Sequence, residues 1–219
     1  MKSTNRSSRA FTMIELVMVI VVIGILAALA IPRMERDNRQ EAADNILSAI
    51  RYTQHLALID DKTDPFDGNW QQKLWMIQFF GGNNAYYIIG SDTNKNGSIS
   101  KTESAIDPAN GKYMHNTGGF AAAAANNESP NIFLGHKYGI NAVSNSGGCT
   151  SKHIAFDHLG RPFSGLRVTP TGTLAGNDYA KYMTDDCNLT FSFTGGEDNL
   201  TIIIPKETGY AYIADQPDS

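Results

Sequence analysis

The sequence predicts an α+β fold in which a long N-terminal helix packs on an antiparallel β-sheet head. Three observations carry this. Residues 11–31 form an apolar run of membrane length, residues 32–62 continue as an amphipathic helical pattern, and residues 63–219 break into short β-rich runs separated by Gly, Asn and Asp. A basic leader at 1–10 precedes them. The roughly 190 residues after the apolar run suit one exported head of ordinary size.

The helix comes first. In RAFTMIELVMVIVVIGILAALAIP, residues 9–32, the only charged side chain between positions 11 and 31 is Glu15. At about 1.5 Å per residue this run reaches across the ~30 Å hydrocarbon core of a bilayer. Lys2, Arg6 and Arg9 precede it without an acid, so the positive-inside rule keeps the leader in the cytoplasm and sends the rest outward. An ionisable side chain within the hydrocarbon costs about 2.5 to 3.5 kcal/mol, so Glu15 calls for a partner. A cut between Ala10 and Phe11 would create an α-amino group four residues before Glu15. Within one helix that amine could approach its own Glu15; between staggered parallel helices it could instead pair with a neighbour's Glu15, turning a cost per subunit into an attraction between subunits.

In RMERDNRQEAADNILSAIRYTQHLALI, residues 33–59, Ala43, Ile46, Leu47, Ile50, Ala57 and Leu58 recur at three- and four-residue spacings, the mark of a helix with one buried face. Pro32 removes a backbone donor and Gly24 lowers helix propensity, which predicts a bend or local unwinding between them. In the head, KLWMIQFF and AYYIIG read as two strands around the Gly-Gly-Asn-Asn turn at 81–84, and LTFSFTGGEDNLTIIIP as a hairpin. YAYIA, NIFLGHKYGI and KHIAFDHLGRP supply shorter strand candidates, and GGFAAAAANNESP reads as a short helix or a loop. One antiparallel sheet wrapped on the helix is the arrangement expected.

The formal charge is −4, and removing the leader's three cations leaves 15 basic against 22 acidic side chains. This argues against nucleic acid as a partner. Cys149 and Cys187 both fall in the exported part, where a disulfide is permitted and would stabilise the fold by roughly 4 kcal/mol; two free thiols are the alternative.

DTNKNGSISKTE, residues 92–103, follows the twelve-residue calcium-loop spacing D-x-[DN]-x-[DN]-G-x5-E. Asp92, Asn94 and Asn96 supply side-chain oxygens, Ser98 its carbonyl, Ser100 a direct or water-mediated contact, and Glu103 two oxygens. Gly97 permits the turn, and Ile99 anchors the loop by packing. With two formal charges among the ligands, affinity belongs in the weak range of about 10⁻⁴ to 10⁻³ M. AYYIIG before the loop is strand-like, so the expectation is a structural calcium loop on a sheet. A solvated polar turn is the alternative.

The basic leader, small Ala10, Phe11, Thr12, Glu15 in the fifth place after the expected cut, and an apolar run carrying Gly24 and ending at Pro32 together resemble the N-terminal signature of type IV pilins and type II secretion pseudopilins. The phrases HIAFDHLGRP and IIIPKETGYAYI look more weakly like the C-terminal strands of minor-pseudopilin heads. The resemblance implies a pilin-like fold, cleavage after Ala10 by a prepilin peptidase, N-methylation of Phe11, and neutralisation of an adjacent subunit's N-terminus by Glu15. Ala10 departs from the Gly usual before the cut. By this resemblance the chain is a non-enzymatic structural subunit of a pilus-like filament or secretion pseudopilus, with a minor pilin or pseudopilin role favoured. Its partners would be other pilin-like subunits, the prepilin peptidase and the inner-membrane assembly machinery. It would sit in the inner membrane and pass into a periplasmic pseudopilus or an extracellular pilus.

Three readings compete. Ala28-Leu29-Ala30 forms a signal-peptidase site after a basic and an apolar region, which would make the N-terminus an ordinary export signal. The run also fits a plain membrane anchor. Either would suit a calcium-stabilised monomeric binding domain or hydrolase. For catalysis the sequence offers little: there is no nucleophile elbow, phosphate loop or reactive cysteine signature, and His153 and His158 fall on opposite faces of any one strand.

Overall fold

The computed structural model describes residues 12–119, 122, 127–166, 177–196 and 198–216, and within the helix no side chain of residues 28–37. The chain divides into two units, residues 1–38 and residues 39–219.

Helix α1 runs Met13–Ile59. It is helical through Gly24 and Pro32, so the unwinding predicted between them is not found. Helix hydrogen bonding outweighs a single glycine, and a proline removes only one donor. In the first unit the described side chains of α1 are exposed on every face, from Met13, Leu16 and Val17 to Ile25 and Leu26.

In the second unit the remainder of α1 has one buried stripe, formed by Ala42, Ala43, Ile46, Leu47, Ala49, Ile50, Thr53 and Ala57. The three- and four-residue spacing brings these onto one face. Leu58, assigned to the same stripe from its spacing, is half exposed instead. Buried Gln54 donates to the carbonyls of Gly160, at 2.8 Å, and Thr208, at 2.7 Å. Arg51 donates to that of Ala211 at 2.9 Å. The helix is thereby pinned to two chain reversals whose carbonyls lie outside the strand pairing.

Among the described residues two four-stranded antiparallel sheets stand where a single sheet is expected. The strands are β1 Trp75–Phe80, β2 Tyr86–Gly90, β3 Ile140–Gly147, β4 His153–Phe156, β5 Pro162–Ser164, β6 Cys187–Phe193, β7 Leu200–Ile204 and β8 Tyr212–Ile213. Their orders are β2-β1-β4-β5 and β3-β6-β7-β8. Phe80 pairs with Tyr86 across the first hairpin, with rings stacked 4.7 Å apart. β6 alternates buried and half-buried residues because one of its faces is covered. In β1 the four central residues are all buried. One face of β1 joins α1 and the second sheet in the main core, where Phe79 meets Phe191 edge-on at 5.2 Å. The other face lies under Trp70, Leu74, Ile99, Phe163 and Leu166.

The segment read as the strand NIFLGHKYGI is instead a 3-10 turn, Pro130–Ile132, and a short helix α2, Leu134–Tyr138. Gly139 ends α2 at φ +74°, and β3 begins directly after it. β4 stops at Phe156, which puts His158 in the turn that follows. His153 packs edge-on against Phe80, while His158 Nδ1 lies 3.4 Å from Asp61.

Candidate functional site

The start of α1 gives Glu15 a local role. The Glu15 amide donates to Thr12 Oγ1 at 3.3 Å, and the Thr12 amide donates to Glu15 Oε2 at 3.2 Å. This reciprocal pair is a capping box, in which two of the helix's unpaired N-terminal amides find acceptors. The carboxylate therefore stands against the first turn, bonded to Thr12. Ala10 and Phe11 lie outside the described residues, as does the side chain of Pro32. A Cβ added at Gly24 would meet nothing within 4 Å, so no contact among the described residues demands glycine there.

Around this cap the helix is apolar on all sides. Among the described residues no helix is long and apolar enough to cross a membrane. The described side chains of the run cover only 12–27, about 24 Å of helix, and the rest of 11–31 lies beyond them. An all-round apolar surface of this kind is poorly suited to water.

The second site is the loop between β2 and the 3-10 turn Lys101–Glu103. Asp92 begins it, almost fully buried. Its Oδ1 accepts from the Asn96 amide at 3.1 Å and its Oδ2 from the Gly97 amide at 2.8 Å. Gly97, at φ +87°, and Lys95, at φ +57°, hold the reversal. Asn94 Oδ1 accepts from the Asn96 amide and Asn96 Oδ1 from the Ser98 amide. From the far end Glu103 turns back over the loop. Its Oε1 accepts from the Thr93 hydroxyl and the Asn94 amide, and its Oε2 from the Ser100 amide and hydroxyl.

Electrostatics separates the two carboxylates. Burial pushes the pKa of Asp92 up, against the amides of Gly97 and Asn96 that pull it down. Burial also acts on Glu103, but the hydrogen bonds from Ser100, the Asn94 amide and the Thr93 hydroxyl together outweigh it and bring that group to about 2. Among the described residues no ion pair compensates Asp92, and no three His, Cys, Asp or Glu side chains gather as a metal cluster. The loop has two carboxylates; its other oxygens are amide, hydroxyl and carbonyl, a hard donor set suited to calcium.

The loop is also tied sideways. Lys95 Nζ bonds both oxygens of Asp67, at 3.1 and 3.0 Å, and Lys73 Nζ reaches Asp67 at 2.7 Å. Lys73, the Asn69 amide and Lys95 hold the Asp67 carboxyl well below the usual range. Ile99 is buried against β1 and its neighbours, anchoring the loop from inside.

Cys149 and Cys187 are joined in a disulfide, with Cα atoms 4.9 Å apart. It fastens the chain after β3 to the start of β6, where Gly147 already pairs with Cys187. Sequence reasoning missed the cap at Thr12, although the pattern Thr-x-x-Glu before an apolar run signals one. It also missed the Lys95–Asp67 tie, for which the sequence holds no signal.

Residues 5–31 match the family model described as the prokaryotic N-terminal methylation motif, the signature of type IV pilins and pseudopilins. No curated protein and no solved structure matches the chain.

Proposed function

We propose that this chain is a structural, non-enzymatic subunit of a type IV pilus-like filament or a type II secretion pseudopilus. The observation that carries the reading is a methylation motif whose acid caps a helix that is apolar around its circumference over residues 16–27. In this reading a prepilin peptidase cuts after Ala10 and methylates Phe11. The helix dwells first in the inner membrane and then passes into the fibre, where apolar surface of other subunits replaces lipid. The subunit's partners are pilin-like chains and the assembly machinery, and a minor pilin or pseudopilin role suits its large head.

Calcium belongs to the same proposal. Asp92, Asn94, Asn96, the Ser98 carbonyl, Ser100 and Glu103 would hold it, and the ion would supply positive charge to the buried Asp92 carboxylate. The chain's own part is to keep the loop closed: the amides of 96 and 97 orient Asp92, and Ser100 orients Glu103.

The mature N-terminus tests the reading. Mass spectrometry of the chain from membranes should show N-methyl-phenylalanine at position 11. A start at Ile31 would instead mark a secreted domain and end the filament proposal.

A further inference from the structure

A groove of about 360 Å³ opens between residues 41–52 of α1 and the turn at 107–109. Tyr87 and Met114 form its buried floor, and Asp44, Tyr52, Asp107 and Lys137 stand around it. It plays no part in the helix cap or the calcium loop.

The groove already holds one cation at one end. Lys137 Nζ lies 3.0 Å from Glu41 and 4.9 Å from the centre of the Tyr138 ring. The remaining acids have no such partner. Asp44 accepts from Gln40, and buried Asp107 accepts from the Ala109 amide, the Ser129 hydroxyl and the side-chain amides of Asn110 and Asn131. All of these donors are neutral, and among the described residues neither carboxylate meets a cation. Burial works against the charge on Asp107, but its four donors outweigh burial and keep its pKa below the ordinary value. The charge is felt across the groove: after burial itself, Asp107 is the next cause raising both Tyr52 and Tyr87.

A pocket with two carboxylates that are hydrogen-bonded only by neutral donors, and with tyrosine walls, is complementary to a planar cation on an apolar stem. We propose that this groove seats an arginine side chain presented by a partner protein. The guanidinium takes up the field of Asp44 and Asp107, and its methylene stem lies along Tyr52. This contact is separate from filament assembly through the N-terminal helix and does not rest on it.

The test is an NMR titration of the isotope-labelled full chain in detergent micelles with N-acetyl-arginine amide. N-acetyl-citrulline amide, of similar shape but uncharged, is the control. Arginine amide should give saturable shifts at the amides of 44, 48, 52, 107 and 109, with binding about tenfold or more tighter than the control. Asp44→Asn, an exposed substitution, should weaken binding several-fold and leave the rest of the spectrum in place. Absence of saturable shifts, equal binding of the uncharged control, or unchanged binding by Asp44→Asn would overturn the proposal.

Discussion

Glu15 does two jobs in this reading, and substitution by glutamine separates them. The structure shows a capping box with Thr12, which a glutamine at the same position can also complete. Charge pairing with a neighbour's amine, by contrast, needs the carboxylate. Glu15→Gln should therefore keep the helix start while losing the attraction between subunits. The cap is worth about 1 kcal/mol. Answering an otherwise lone carboxylate in hydrocarbon is worth about 2.5 to 3.5 kcal/mol. At 1.4 kcal/mol per tenfold, that predicts incorporation into filaments reduced by about 60- to 300-fold. Glu15→Ala should lose the cap as well and fall somewhat further. The assay is immunoblotting of sheared filaments against the processed chain in membranes, for wild type and both variants. If Glu15→Gln is processed normally and assembles like wild type, capping is sufficient and the charge argument is wrong.

Four further outcomes follow from the head. At about 5 mM calcium and a dissociation constant of 10⁻⁴ to 10⁻³ M, mass action adds about 1 to 2.3 kcal/mol, so the melting temperature should rise by about 2 to 9 °C over chelator. Glu103→Gln should abolish that increment, and identical wild-type melting curves would remove the calcium reading. Because Glu103 is lowered from its ordinary 4.5 to about 2, its contribution is present above pH 4.5 and lost as pH falls through about 2. In acid titration the difference between wild type and Glu103→Gln should be full above pH 4.5, shrink steadily across that window and vanish below about pH 2. Replacing Cys149 and Cys187 by Ala should cost roughly 4 kcal/mol in denaturant unfolding for a loop of 38 residues. Gly209→Ala should also destabilise, since φ is +65° there and a Cβ would collide with the Gly160 carbonyl; unchanged unfolding would contradict the close approach seen at this reversal.

Legibility follows the range of the interactions. The helix from Met13 to Ile59 was readable because its apolar pattern is local, and the hairpin of β6 and β7 because Leu189, Phe191 and Phe193 alternate around a Gly-rich turn. β3 was missed: it is an edge strand with only Ile140 and Val143 buried, so its sequence carries little alternation. α2 was mistaken for strand because five residues are too few to show a helical period. The loop at 92–103 announced its donor types through spacing, but the sequence did not reveal that Lys95 would reach Asp67.

By itself the sequence determined the apolar helix, its lone acid, the order of oxygen donors in the loop, and the presence of two cysteines in the head. These are set by covalent neighbours and by periods of two or three to four residues. Only the tertiary structure decided that the strands divide into two sheets, that the cysteines meet, and that Asp44 and Asp107 share one groove. Such outcomes depend on which distant surfaces exclude water together, and hydrophobic burial is non-directional, so no local pattern encodes the choice.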